Sequence, residues 1–336
     1  MKNLLYIGNK LSNHGYTSTS IETLGKFLED EGYSVFYASS RKNKAMRMFE
    51  MIYKTFKYCR KVDYVLIDTY STKNFWYAFV ISQLCRLLRV RYIPKLHGGN
   101  LPNRIMRSKF FSDMIFNNAY TNIAPSSYLF ETFKSSGYTN LKYIPNTIDL
   151  GIYTPSEKEF ITPKLLWVRS FAKIYNPVMA VKVFLKIKES FPEAKICMVG
   201  PKKDDSYAKT MKFAKNNNVE VKVTGKLSKP DWIKLSQEYN IFINTTHFDN
   251  TPISVIEAMA LGLPVVSTNV GGIPYLLQHE KNALLVADND AEDMTKQINR
   301  IIAERELTSF LTQNGKQTVK DFDWEVVKNQ WIDLLV

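Results

Sequence analysis

Short apolar runs recur along this chain, each followed by a polar loop and an amphipathic stretch. Leu4-Leu-Tyr-Ile7 comes first, then the polar loop Gly8-Asn-Lys-Leu-Ser-Asn-His-Gly15 and a helical pattern over 20–32. Strand-like runs follow at 34–38, 64–67 and 90–96, with a helix over 75–89 between the last two. The loop His97-Gly-Gly-Asn100 comes next, then a helical region, a short strand and turn at 123–126, a helix over 127–136 and a strand over 141–146. Apolar runs bounded by turn residues fit strands buried on both faces, and their alternation with helices predicts a parallel sheet.

A second series begins at Lys164-Leu-Leu-Trp-Val-Arg169. A helix near 177–190 follows, with strands at 194–199, 220–223, 240–244, 264–267 and 283–286. Residues 150–163 are polar and carry two prolines, so they read as a linker. The 336 residues then divide into two α/β domains, 1–155 and 160–320.

Charge adds an asymmetry. Of the net +13, the first 150 residues hold +11 (21 Lys and Arg against 10 Asp and Glu) and the remainder only +2. The densest part is 41–61, where Met46, Phe49, Ile52, Tyr53 and Phe56 fall at helical spacing among eight basic residues. Such a helix either rests on anionic lipid or buries its stripe in its own domain. No helix-turn-helix, zinc-finger or RNA-binding signature is visible, so nucleic acid is not the expected partner. Cys59, Cys85 and Cys197 are far apart and odd in number, which argues against a disulfide framework or a structural zinc site. The longest apolar patch, 75–85, is too short to span a bilayer, and the first residues are too briefly apolar for a signal peptide. A cytoplasmic protein, soluble or peripheral, is expected.

The most informative stretch is Asp249-Asn-Thr-Pro-Ile-Ser-Val-Ile-Glu257 and the Ala-Met-Ala-Leu-Gly-Leu-Pro-Val-Val that follows. It reads as a polar loop leaving a buried strand, opening a helix, and turning into another strand. A helix opening there offers free backbone N–H groups and a positive dipole end to an anionic ligand. Pro252 suits the first helical turn, where its missing N–H costs nothing. Glu257 lies too deep to cap the helix and in too apolar a run to go unpartnered. Its partner is either a bound ligand or an internal salt bridge. Arg169 is equally unusual at the end of an apolar strand. The pairs Asp204-Asp205 and Asp288-Asn-Asp290 read as structural loop acids rather than metal ligands.

Taken together, these motifs resemble the retaining glycosyltransferases of family 4, which have the GT-B architecture of two facing Rossmann-like domains. Asn250-Thr-Pro to Glu257, continuing to Val-Gly-Gly-Ile-Pro274, resembles their nucleotide-sugar site. Ile144-Pro-Asn-Thr-Ile-Asp149 resembles the turn near their domain boundary, and Trp167-Val-Arg-Ser-Phe-Ala-Lys173 their phosphate-binding stretch. Asp321-Phe-Asp-Trp-Glu325 resembles the opening of a last helix, 321–336, that returns to the first domain. The likeness spans the chain and is strongest in its second half.

The resemblance implies roles. Glu257 would bind the ribose hydroxyls, and Asp249, a methylene shorter than the family's glutamate, the donor sugar. Arg169 and Lys173 would hold the diphosphate, and the segment Asn250, Thr251, Pro252 and Ile253 would offer its amides to sugar or phosphate oxygens. Gly8 would face the phosphates, and His97 would lie near the reacting carbon. The implied activity moves a sugar from a nucleoside-diphosphate donor to a lipid-linked or polysaccharide acceptor at the inner face of the cytoplasmic membrane, with no cofactor and no metal. A sugar-nucleotide epimerase or hydrolase on the same fold, and an inactive nucleotide- or glycan-binding relative, are the alternatives.

Overall fold

The computed structural model describes residues 2–15, 18–156 and 158–336. Two compact units divide the chain. The first comprises Met1–Thr147 and Val327–Val336, and the second Ile148–Val326.

The first unit is built on strands β1 (Asn3–Ile7), β2 (Ser34–Ala38), β3 (Tyr64–Tyr70), β4 (Arg91–His97), β5 (Asn122–Ala124) and β6 (Leu141–Tyr143). All pair in parallel, in the order β2-β1-β3-β4-β5-β6. The order reverses between β1 and β3, because the chain steps outward to β2 and then returns to the other side of β1. A crevice opens at the carboxyl ends of the strands at such a reversal.

The second unit holds β7 (Lys164–Val168), β8 (Lys195–Val199), β9 (Lys222–Gly225), β10 (Ile241–Asn244), β11 (Val265–Thr268) and β12 (Leu284–Val286). These too are all parallel, in the order β12-β11-β10-β7-β8-β9. Here the reversal lies between β7 and β10. Every residue of β10 and β11 is buried, the apolar Ile241-Phe-Ile243 and Val265-Val266 as well as the polar ends Asn244, Ser267 and Thr268. Trp167, Phe171 and Phe184 fill one face of this sheet beside Met179, Val183 and Ile187 of the helix Pro177–Ser190. Each such side chain contributes about 1.5–3 kcal/mol when fully buried.

The helix Lys44–Tyr58 is apolar on two sides. Met51 is buried, with Met48 and Ile52 packed beside it on the first core. Met46, Phe49, Tyr53 and Phe56 face outward and are 55%, 72%, 61% and 52% exposed. The expectation that the stripe could bury itself in its own domain is therefore corrected: only Ile52 of those five residues turns inward. The side that packs on the sheet is one step round the helix, through Arg47, Met51 and Thr55.

The last helix, Trp324–Leu335, begins after a short 3-10 turn at Lys320–Phe322. The helix from Val327 onward, together with Val336, belongs to the first unit. Lys328 pairs with Glu31 at 3.3 Å, and Lys142 Nζ donates to the Gln330 carbonyl at 3.3 Å. No helix among the described residues is long and apolar enough to cross a membrane.

Candidate functional site

In the second unit the chemistry gathers where the strand order reverses. Arg169 directly follows β7, and its backbone N–H continues the ladder to the Val199 carbonyl at 2.9 Å. Asp249 lies five residues beyond β10. The Arg169 guanidinium donates to Asp249 Oδ2 at 2.5 Å and packs 5.0 Å from the centre of the Tyr175 ring. Both side chains are mostly buried, at 13% and 17% exposed.

The backbone carrying Asp249 is clamped from one side. Gly272 N–H donates to the Asp249 carbonyl at 2.8 Å. A Cβ on Gly272 would stand 2.2 Å from the Asn250 carbonyl oxygen, so this close approach admits only glycine. The helix then runs Ile253–Ala260, with Pro252 at its N-cap rather than inside the first turn. Val255 and Ile256 N–H donate to the Pro252 carbonyl at 3.1 and 3.3 Å, so within the helix only the first two amides, Ile253 and Ser254, have no acceptor. Ser254 Oγ, in that same turn, is buried without a hydrogen-bond partner.

Glu257, 4% exposed, already has two partners. Lys229 of the helix Lys229–Ser236 forms an ion pair with its Oε1, and Tyr153 O–H donates to the same oxygen at 2.8 Å. Burial, followed by the Glu257 charge, pushes the Tyr153 hydroxyl well above its ordinary pKa and keeps it a donor. Lys173 is exposed, and its backbone N–H donates to Asp204 Oδ2 at 2.9 Å. Asp205 pairs with Lys209, Asp288 with His247, and Asp290 caps the helix Ala291–Ala303 through the Asp293 amide.

The first unit has a polar centre of its own, again at the strand reversal. Asp68 on β3 is fully buried. Its Oδ1 accepts from His97 Nε2 at 2.7 Å and from Tyr6 O–H at 3.1 Å, while Oδ2 has no partner. Lys95, opposite Asp68 in the β3–β4 register, donates to Ser20 Oγ at 2.6 Å and Asn146 Oδ1 at 3.0 Å. Burial lowers the Lys95 ammonium to about 8, against the pull of Asp68. Burial likewise lowers His97, whose ring stacks on Tyr70 at 4.8 Å. Gly8 closes the group: a Cβ there would lie 2.6 Å from Asp68 Oδ2.

The structure thus brings Arg169, Asp249, Asn250, Thr251, Pro252, Ile253 and Glu257 to one edge of the second sheet, with Lys173 on the loop after β7. It sets Gly8 and His97 around Asp68 at the equivalent edge of the first. Sequence reasoning missed Asp68, Lys95, Tyr153 and Lys229. An acid within the run Tyr64-Val-Leu-Ile-Asp-Thr-Tyr70 was the available signal for the first; the rest needed the fold.

Residues 156–318 match the family model described as glycosyl transferases group 1. That stretch covers most of the second unit, Ile148–Val326. An N,N'-diacetylbacillosaminyl-diphospho-undecaprenol alpha-1,3-N-acetylgalactosaminyltransferase of Campylobacter jejuni is 21% identical over 216 residues, covering 60% of this chain and 52% of that protein. The chain spans about half or less of the length of the curated relatives it matches. A solved sucrose-phosphate synthase from Thermosynechococcus elongatus superposes with a TM-score of 0.83 at 17% identity, over 99% of this chain and 98% of that one. The Anabaena protein HepE, solved in complex with UDP and glucose, superposes with a TM-score of 0.78 at 17% identity, over 100% and 99%. These likenesses establish the GT-B fold class, with its pair of Rossmann-like units.

Proposed function

We propose that this chain, whose residues 156–318 match the glycosyl transferases group 1 model, is a retaining glycosyltransferase using a nucleoside-diphosphate sugar. The observation that carries the reading is the meeting of Arg169 from β7 with the Asp249–Glu257 loop and helix from β10 at the reversal of a parallel sheet. Ligands of open α/β sheets bind in that crevice. As the sugar–phosphate bond breaks, the leaving diphosphate gains negative charge. A fixed guanidinium, the Lys173 ammonium and a helix opening lower the cost of that charge without requiring a metal ion. Glu257 takes the ribose hydroxyls, and Asp249 and the N–H groups of Thr251 and Ile253 face the sugar and phosphates; within the first unit, Gly8 is read as a phosphate contact and His97 as a sugar contact. HepE's UDP and glucose support this class of donor.

The acceptor in this reading is a lipid-linked or polysaccharide glycan, met by the first unit at the inner face of a membrane. The outward stripe Met46, Phe49, Tyr53 and Phe56, set among Lys42, Lys44, Lys57, Arg60 and Lys61, suits an anionic bilayer. The diphospho-undecaprenol acceptor in the Campylobacter relative's name is of the same kind.

The test is a thermal-shift screen of nucleoside diphosphates and their sugars, followed by mass spectrometry with candidate acceptors. A nucleoside diphosphate at about 100 times its Kd adds roughly 2.7 kcal/mol of stability. That gain is expected in the wild type and lost in Arg169→Ala. If no nucleoside diphosphate stabilises the wild type, the reading fails. Turnover of donor without any acceptor product moves it to a hydrolase or epimerase.

A further inference from the structure

The buried group around Asp68 is larger than any expectation from the sequence. Five side chains form one hydrogen-bonded chain: His97, Asp68, Tyr6, Ser20 and Lys95. They come from β4, β3, β1, the helix Ser20–Asp30 and β4 again. Asp68 is wholly buried, whereas His97 keeps 12% of its side chain exposed. The histidine is fixed in two ways, by the carboxylate on Nε2 and by the Tyr70 ring on its face. Nδ1 makes no hydrogen bond to the described residues.

We propose that Asp68 is a positioning residue that holds His97 in the Nε2–H tautomer, so that Nδ1 stands as a hydrogen-bond acceptor for a sugar hydroxyl. A carboxylate only accepts, so the shared proton sits on Nε2 and the lone pair is left on Nδ1. The charged and titratable groups facing the imidazole are Asp68 and Tyr70 from β3 and Lys95 from β4, with Tyr6 from β1 behind Asp68. Burial of the site, against the pull of Asp68 and with the Lys95 cation adding to it, opposes a second proton on His97 and keeps Nδ1 an acceptor. A hydroxyl can donate to that nitrogen, whereas a protonated ring presents N–H there and accepts nothing. Gly8 is part of the device, because any side chain there would push the Asp68 carboxylate away.

The inference rests on the reading of His97 as a sugar contact, and its test separates the two. Long-range proton–nitrogen correlation spectra of nitrogen-15-histidine protein, with His97 assigned through His97→Gln, report the tautomer without any substrate. A single neutral Nε2–H form is expected at pH 7.5 in the wild type, with mixed tautomers in Asp68→Ala. An Nδ1–H or averaged form in the wild type overturns the proposal, whether or not the variant folds. Asp68→Asn, nearly isosteric, is expected to lower kcat about tenfold or more while the donor KM stays within about twofold. It should also shift the acid limb of the rate profile, which a merely structural defect would leave in place. An unchanged kcat and profile overturn the positioning role. Undiminished transfer by His97→Gln overturns the sugar contact alone, and the tautomer spectra stand apart from it.

Discussion

Asp249 holds Arg169: the carboxylate reaches the guanidinium at 2.5 Å across the gap between β10 and β7. The shorter acid is long enough for this pair, which fixes the arginine's direction beside the Tyr175 ring. Asp249→Ala is expected to lose donor turnover by about tenfold to a hundredfold through the freed Arg169, since one oriented charged hydrogen bond is worth about 1.5–3 kcal/mol. Arg169→Lys should not restore it, because a point charge cannot reproduce the fork. Steady-state kinetics with a fixed acceptor decides this; wild-type kcat/KM in Arg169→Lys would refute the orienting role.

Glu257→Ala should weaken nucleoside-diphosphate binding by about tenfold or more. It also leaves the Tyr153 hydroxyl without its acceptor, so the apo protein should lose about 1–3 kcal/mol. Titration calorimetry and unfolding curves without ligand separate the two effects. Full affinity in a destabilised protein would leave Glu257 a structural residue, joined to Lys229 and Tyr153 alone.

Gly8→Ala places a methyl carbon 2.6 Å from Asp68 Oδ2 and 3.1 Å from Ile21 Cβ. Overpacking of this kind costs about 1–3 kcal/mol. A fall in the urea midpoint with an unchanged slope is the expected result. An unaltered midpoint would mean that the carboxylate moves aside freely.

Lys95 gives a pH dependence whose sign is fixed. Burial depresses its folded pKa to about 8 from an ordinary 10.5, so above about pH 8 the unfolded chain binds more protons than the folded one. This group's destabilising contribution is complete below pH 8 and fades as pH rises toward 10.5. Lys95→Met should therefore gain most over the wild type at pH 7, by up to about 3 kcal/mol, and less at pH 9.5. Urea unfolding at the two pH values tests it; a gap that widens with pH would contradict the assignment.

Phe49→Ser with Phe56→Ser should reduce sedimentation with vesicles containing phosphatidylserine while leaving the fold intact, since both rings are more than half exposed. Binding by the wild type should fall as salt rises, each basic residue near the surface contributing about 1 kcal/mol at low ionic strength. No wild-type binding at low salt would remove the membrane from the proposal.

Much of this was legible in the chain and part was not, for physical reasons. Unbroken apolar runs gave the strands, because strands buried on both faces show little else. Arg169 and Glu257 stood out because each is a charge inside an apolar run. Their pairings did not stand out: Lys229 lies in a polar segment 28 residues before Glu257, and Asp249 pointed to the donor sugar rather than to Arg169, 80 residues earlier. The Asp68–His97 pair needs β3 beside β4, which is a fact of sheet order and not of spacing. The helix Lys44–Tyr58 defeated periodicity for another reason. With apolar residues on two sides, the pattern fixes the helix but not which side the sheet takes.

The return of the last ten residues to the first unit has a consequence for synthesis. Val327, Trp331 and Leu335 are buried there, and they are made only after the whole of the second unit. At about 5–20 residues per second, translation of the intervening second unit takes on the order of ten to forty seconds. During that interval the nascent first unit exposes the surface those side chains will cover. The first unit, begun before the second, is therefore completed after it, and a ribosome that stalls between them leaves a finished second unit and a first unit still open.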